Sequence, residues 1–307
     1  MFTVQTDSQR ITLCAPGRRA EIYLFGALLN RYETALPDGS FFNAICGYDS
    51  PDTARNTLAD WFQSAKLSPY ACRIRHGTYR FEGKEYRCSK HIIAGHAAHG
   101  LMYDADFTLL DSGTDAQSAW AKLGADYCGS DAGFPFPYRL HIRYRLDSDG
   151  LEIHTAATNL GRTDMPFADG WHPYFSLGGR VDGWTLQINS NRRLGFDADL
   201  VPDGSIIADT RFQTASSLAG IGLDNSFILT PDNGRAACTL TNKDLSLEIF
   251  PDASYPYLQV FIPPTRDRIA LENLSGAPDC FNNGLGLRIL RPQETAELVT
   301  RYRLGAA

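Results

Sequence analysis

The sequence predicts an all-β protein, a single large antiparallel β-sandwich over residues 1–307 with one or two short helices. Three observations predict it. Apolar and polar residues alternate with period 2 through most of the chain. Helical spacing is confined to two short stretches, and Gly, Asn, Asp and Pro recur between the alternating segments as turn residues. The 307 residues, 43% hydrophobic and 21% charged, supply a sizeable core, and all-β domains of this length occur as single units. No low-complexity linker divides the chain. The Arg-Tyr-Arg-Leu strings at 143–146 and 301–304 read as coincident strand alternation, not a repeat.

The elements follow in order. Between Asp52 and Leu67, the residues Ala54, Leu58, Trp61, Phe62 and Ala65 follow a helical stripe. Residues 78–88 read as a hairpin turning at Glu82-Gly83-Lys84. Residues 115–124 predict a second short helix. In 139–146, Leu140, Ile142, Tyr144 and Leu146 take one face, and Arg139, His141, Arg143 and Arg145 the other. Residues 151–157, 185–189, 245–250 and 298–304 alternate similarly. Residues 257–262 are apolar or bulky on both faces, as in a central strand covered on both sides.

The net charge of −6 argues against nucleic acid or an anionic membrane as the main partner. No apolar run approaches the roughly 18 residues of a membrane span. The first twenty residues lack the basic start and apolar run of a signal peptide. Seven scattered cysteines (Cys14, Cys46, Cys72, Cys88, Cys128, Cys238, Cys280) with no CxxC spacing point to free thiols in a reducing compartment. A cytoplasmic location is expected, where the triplet Asn273-Leu274-Ser275 carries no glycan.

Several polar residues invite a chemical reading, and each has a bland one. His172 sits in Asp169–Gly179 among Trp171, Pro173, Tyr174 and Phe175, with glycines on both sides. An imidazole there is either a satisfied core residue or a catalytic group with one edge open. His91, His96 and His99 suggest a metal site, but Gly95 and Gly100 break the helix that HxxH needs, and no Cys or carboxylate completes a ligand set. His141 and His154 lie on polar strand faces and read as solvated. Glu272 follows the apolar run Ile269-Ala270-Leu271. It is either a surface strand end or a half-buried base of raised pKa. Asp224 precedes Phe227-Ile228-Leu229 in the same way. Arg73 needs a partner if it points inward, whereas Arg75, two residues on, allows a solvated pair. Neither a GxSxG elbow nor a phosphate-cradling glycine loop occurs.

Read in order, these segments resemble the aldose 1-epimerase (galactose mutarotase) family along nearly the whole chain. The similarity runs through residues 25–54, the Ala71–Cys88 segment with its hairpin, the His-Gly loop at 99–100, and Trp171-His172-Pro173-Tyr174-Phe175. It continues through Asp224-Asn225-Ser226, residues 256–264 and residues 269–295. The resemblance implies one large supersandwich and an enzyme that interconverts α and β anomers of a free aldose. It further implies His172 as general acid and Glu272 as general base, with His99, Arg73 and Asp224, and more weakly Gln259, holding the sugar. No cofactor or metal is implied, and the partner is a small monosaccharide, with the protein a monomer or homodimer. Trp171 and Cys72 stand where the family often has Asn, and Asn273 where Pro commonly follows the glutamate. These differences are expected near the pocket, with Trp171 narrowing it or stacking on the sugar. Three rival expectations remain: a hexose 6-phosphate mutarotase, which needs a basic subsite; a non-catalytic sugar-binding protein; and a glycoside hydrolase using Asp224 and Glu272 as paired carboxylates.

Overall fold

The alternating segments become two large antiparallel sheets in the computed structural model, which describes residues 1–230 and 234–307. One sheet runs, in spatial order, Thr108–Thr114, Ser118–Tyr127, Tyr138–Asp147, Leu151–Asn159, Thr295–Ala306, Leu245–Pro251, Cys238–Thr241, Thr185–Ile188 and Ser216–Ser217. The other runs Pro202–Ala208, Arg192–Phe196, Asp224–Ile228, Tyr257–Phe261, Ile269–Leu274, Gly170–His172 and Ala65–Leu67, and Tyr174–Phe175 also pairs with Ile269–Leu274. A five-stranded N-terminal sheet spans Thr3 to Asn43.

The period-2 pattern decides which residues meet between the sheets. Leu140, Ile142, Tyr144 and Leu146 are fully buried on one face, while Arg139, His141, Arg143 and Arg145 turn outward. Each such Leu or Ile contributes about 1.5–3 kcal/mol by leaving water. Across the interface, Tyr144 meets Trp171 edge to face at 6.2 Å, and Phe175 meets Tyr302 at 5.5 Å. The N-terminal sheet is tied to the same layer by hydrogen bonds from Tyr144 Oη to the Ala27 carbonyl (2.6 Å) and from Tyr32 Oη to the Tyr302 carbonyl (2.9 Å). Tyr257–Phe261 lies between two strands with four of its five residues buried, as its two-sided bulk predicts.

Two helical expectations change. Residues 115–124 form no helix: Thr108–Thr114 turns at Asp115–Gln117 into the strand Ser118–Tyr127. Asp115 fastens that turn by accepting from the Gln117 amide (2.7 Å) and the Ser118 hydroxyl (2.9 Å). Ala119, Ala121 and Leu123 then face the core while Trp120 and Lys122 face outward. Alternate burial against a neighbouring sheet outweighs a helix propensity that alanines carry anywhere. The second true helix is a single turn at Cys280–Asn283. The first helix is shorter than its stripe, running Pro51–Trp61 with Ser50 as N-cap and Pro51 opening the first turn. It stops because Phe62 takes a left-handed conformation (φ 54°), which frees Ala65–Leu67 to pair with Gly170–His172. The hairpin at 78–88 is present, with Phe81 opposite Lys84 and Glu82-Gly83 as the two turn residues.

Gly100 joins the loop carrying His99 to Ser68, and a side chain there has no room. Its φ is +77°, and an added Cβ would lie 2.3 Å from the Ser68 carbonyl oxygen. Gly100→Ala is expected to cost about 2–4 kcal/mol, combining left-handed strain with overpacking. Urea denaturation checks this, and a loss under about 0.5 kcal/mol, the scale of an ordinary surface change, would refute it.

Candidate active site

The site is assembled from a break in one strand. Gly170–His172 pairs with Ala65–Leu67, Pro173 interrupts, and Tyr174–Phe175 pairs with Ile269 and Ala270. His172 therefore lies within two short strands' edges, not in the open loop that its flanking glycines suggest. Gly170 is needed for close approach: an added Cβ would meet Leu274 at 2.8 Å and the Asn273 carbonyl at 3.1 Å. Gly178 and Gly179, at φ 80° and 69°, turn the chain beyond Phe175.

The break brings His172 onto Glu272. Nε2 of His172 lies 3.5 Å from Oε1 of Glu272, and both side chains are nearly buried, at 8% and 3% exposed. Glu272 stands opposite Gln259 in the adjacent strand, and Gln259 in turn donates its amide N–H to Asp224 Oδ1 (2.6 Å). His99, at φ 65°, meets His172 edge to face at 5.1 Å and leans on Phe62 at 4.5 Å. Arg73 pairs through its backbone with Ala98, and its guanidinium reaches the Leu200 carbonyl at 3.4 Å. All six candidates, His172, Glu272, Arg73, His99, Asp224 and Gln259, line one open cavity of about 1050 Å³, counting its mouth.

Burial sets the protonation of this group. It pushes the Glu272 carboxyl well above the usual carboxylate range, and nearby Asp224 adds to the rise. It lowers His172 to about 4, and takes His99 well below its ordinary value with help from neighbouring His172. Asp224 is raised by burial and partly relieved by Arg73 and Gln259. Desolvation opposes the charged form of both groups across this 3.5 Å contact, so burial favours the neutral imidazole and the carboxylic acid over the ion pair. Several buried polar atoms of this group have no protein partner: Nδ1 of His172, Oε2 of Glu272, Oε1 of Gln259, Nδ1 of His99 and Nε of Arg73. Unpartnered buried donors and acceptors converging in one cavity fit a ligand with many hydroxyls.

Other sequence readings resolve differently. His91, His96 and His99 diverge: His91 lies against Phe62 at the cavity, while His96 Nδ1 accepts from the His76 amide at 3.1 Å. Among the described residues no group of three His, Cys, Asp or Glu side chains converges as a metal-ligand set. Arg75 leaves Arg73 and ion-pairs with Asp197 and Asp199. Trp171 does not narrow the pocket, because alternation turns it away from His172 into the sheet interface, 2% exposed beneath the Lys66 ammonium. Asn273 is likewise on the far face of its strand from Glu272, accepting from the Thr300 hydroxyl at 2.8 Å. Of the three departures, only Cys72 lines the cavity, its thiol held well up by burial. His154 is not simply solvated: Nε2 lies 2.7 Å from a Glu297 carboxylate oxygen. Residues that the sequence reading missed are Phe62, which props His99, and the apolar rim of Trp61, Ile93, Phe196, Leu200 and Phe261. Phe62 and Trp61 are visible in the sequence only as a helical stripe.

The model of the aldose 1-epimerase family matches residues 9–303. The chain belongs to the aldose 1-epimerase family. A galactose mutarotase-like protein from Clostridium acetobutylicum superposes with a TM-score of 0.87 at 18% identity, covering 100% of this chain and 99% of that one. A galactose 1-epimerase from Lactobacillus acidophilus superposes at 0.81 with 20% identity, over 100% and 98%. Both share the galactose mutarotase-like fold with this chain. In sequence, an uncharacterized Escherichia coli protein, YihR, is 26% identical over 230 residues, 73% of each chain. Galactose mutarotase of Bos taurus is 23% identical over 215 residues, 67% of this chain and 56% of its own. No helix among the described residues of this family member is long and apolar enough to cross a membrane.

Proposed function

We propose that this protein is a mutarotase, interconverting α and β anomers of a free aldose with His172 and Glu272 as its acid–base pair. The observation that carries the reading is the buried contact of Nε2 and Oε1 at 3.5 Å in a cavity lined by unpartnered polar atoms. Two groups sharing one proton are what the reaction needs. With the proton on His172, the imidazolium protonates the ring oxygen O5 while the Glu272 carboxylate takes the C1 hydroxyl proton. The C1–O5 bond breaks and C1 becomes an aldehyde. The pair is then carboxylic acid and neutral imidazole, the distribution that burial favours in the free protein. Rotation about C1–C2 exposes the other face. On closure Glu272 returns its proton to the carbonyl oxygen and His172 takes one from O5. Each group contributes about 10²–10⁴-fold, together roughly 5–11 kcal/mol of barrier. Arg73, His99, Asp224 and Gln259 hold the hydroxyls. The two side chains move only protons while the sugar's own C1–O5 bond breaks and re-forms, chemistry that calls on no metal or redox cofactor.

A free aldose is favoured over a 6-phosphate because Arg73 is the one Lys or Arg among the described cavity-lining residues, and Arg75 is committed elsewhere. Seven cysteines without a disulfide support a cytoplasmic location. The test is the optical rotation of freshly dissolved α-D-glucose and α-D-galactose at low temperature, with and without protein. Faster relaxation to the unchanged final rotation supports the reading. No acceleration on either sugar, on hexose 6-phosphates or on pentoses refutes it in favour of binding alone, and release of reducing sugar from an aryl glycoside would instead assign hydrolysis.

The shared proton also predicts the pH profile. Below about 4 a second proton enters the pair through His172 and no base remains, so kcat/KM falls with acid there. The alkaline limb requires loss of the shared proton, which the raised Glu272 delays. The expected profile is flat from about pH 5 to neutrality. A fall as pH rises through about 6.5, the ordinary histidine value, would show that an unshifted imidazolium is the acid instead.

A further inference from the structure

Phe196 and Leu200, which wall one side of the cavity, belong to a hairpin at the edge of its sheet. Arg192–Phe196 pairs with Pro202–Ala208 on one side and, through the residue pair Arg193 and Phe227, with Asp224–Ile228 on the other. Pro202–Ala208 is the outermost strand, exposed along almost its whole length. Leu194 and Val201 anchor the hairpin by burial, but the turn from Asp197 to Leu200 between them is not buried.

Polar contacts hold that turn to the segments around Arg73. Arg75 donates to Asp197 Oδ2, and its Nη1 lies 3.6 Å from Asp199 Oδ2. His96 is 2% exposed, and its Nδ1 accepts from the His76 amide at 3.1 Å. The proton of the neutral ring is therefore on Nε2, which faces Asp199 Oδ2 at 4.0 Å. Asp197 also fastens the turn itself, because its Oδ1 accepts from the Asp199 and Val201 amides at 2.9 and 3.2 Å. The Arg75 hydrogen bond keeps the Asp197 carboxyl below its usual range, so the pair is charged at neutral pH. Arg75 is fixed from behind as well: its amide donates to Asp279 Oδ1 (2.9 Å), and the Asp279 amide donates to the Arg73 carbonyl (2.7 Å).

These contacts lead from a residue outside the cavity to one inside it. Arg75 sets the turn, and the turn carries the Leu200 carbonyl, to which the Arg73 guanidinium donates at 3.4 Å. Nε of Arg73 has no protein partner. An arginine side chain deprived of its acceptor samples many rotamers, and a ligand that needs one of them must remove that freedom on binding.

We propose that Arg75 is a positioning residue: by clasping Asp197 and Asp199 it holds the Leu200 carbonyl where it aims the Arg73 guanidinium at the sugar hydroxyls. The proposal rests on the mutarotase reading for the role of Arg73. Its effect falls on binding. A bound sugar orders Arg73 by itself, so the chemistry after binding proceeds alike whether the turn was clasped or free. The loss of pre-organisation then appears in KM, which scales inversely with the clasped fraction of the free protein.

The test is the kinetics of glucose and galactose anomerisation by the wild type, Arg75→Met, Arg75→Lys, Asp197→Asn and the Arg75→Met, Asp197→Asn double variant. Methionine keeps an apolar stem and the amide bond to Asp279, and asparagine keeps the Oδ1 acceptor of the turn. Arg75→Met is expected to raise KM about fivefold with kcat changed by less than about twofold. Arg75→Lys should recover most of that loss, and the double variant should lose no more than Arg75→Met alone. The pair is about one-third exposed, so salt should raise the wild-type KM toward that of Arg75→Met, whose own KM stays flat. An unchanged KM in Arg75→Met, a fall confined to kcat, or no recovery by lysine overturns the proposal. Two readouts do not depend on turnover. Hydrogen exchange of the 197–201 amides should quicken about fivefold in Arg75→Met while that of Ile269–Leu274 stays the same, and unchanged exchange in the turn overturns the clasp. Glucose titrated by NMR into Glu272→Gln protein should bind about fivefold more weakly once Arg75→Met is added. If the wild type anomerises no sugar yet this binding weakens as expected, the mutarotase reading fails and the clasp stands.

Discussion

Glu272→Gln lowers kcat for anomerisation by about 10²–10⁴-fold and changes folding stability by less than about 1 kcal/mol. The two halves of this expectation have one cause. Burial favours the protonated Glu272 carboxyl, and an amide of the same shape and zero charge replaces it without a new buried charge. The amide cannot take a proton from the C1 hydroxyl, so chemistry is lost while the fold remains. His172→Asn is expected to act comparably on kcat. The double variant should lose little beyond either single one, because the two groups pass one proton between them. Polarimetry on all three variants with urea denaturation in parallel checks this. Wild-type rates in both single variants would remove His172 and Glu272 from the mechanism.

Lys66→Met destabilises the protein by about 3–5 kcal/mol, the usual result of removing one partner of a buried ion pair. Lys66 and Asp169 are each 0% exposed and in direct contact, and the ammonium also donates to the Gly170 carbonyl at 3.2 Å. Asp169 keeps only a hydrogen bond from the Tyr255 hydroxyl (2.8 Å) on the same oxygen, while Oδ2 has no protein partner. The remaining carboxyl must stay charged in a dry interior or take up a proton, and either costs free energy. Adding Asp169→Asn should recover part of the loss, giving a coupling that a double-mutant cycle measures. The pair sits beneath the strand carrying His172, with Trp171 under the Lys66 ammonium at 4.1 Å, so a fall in kcat should accompany the stability change. A stability loss below about 1 kcal/mol, the scale of a solvated surface pair, would show that water reaches Lys66.

The sequence by itself determined the all-β class, because a two-residue period in burial is a local property of a strand against a core. Leu140 through Leu146 and the central strand Tyr257–Phe261 could be read residue by residue for that reason. It also marked six of the residues that line the cavity, through the order of their motifs along the chain. Local patterns misled where a tertiary neighbour decided the outcome. Ala119 and Ala121 fit a helix until a sheet lies against them, and the left-handed Phe62 ended its helix at Trp61, four residues before Ala65, the last member of the stripe. The tertiary structure alone decided which way each flanking residue faces. Trp171 and Asn273 adjoin His172 and Glu272 in sequence but point into the sheet interface, because neighbours along a strand take opposite faces. It alone brought His172 to Glu272, a hundred residues on, by breaking one strand at Pro173 so that both halves pair beside Ile269–Leu274. Protonation followed from that contact and its burial, since the pKa of a side chain is set by what surrounds it in space and not by what precedes it in the chain.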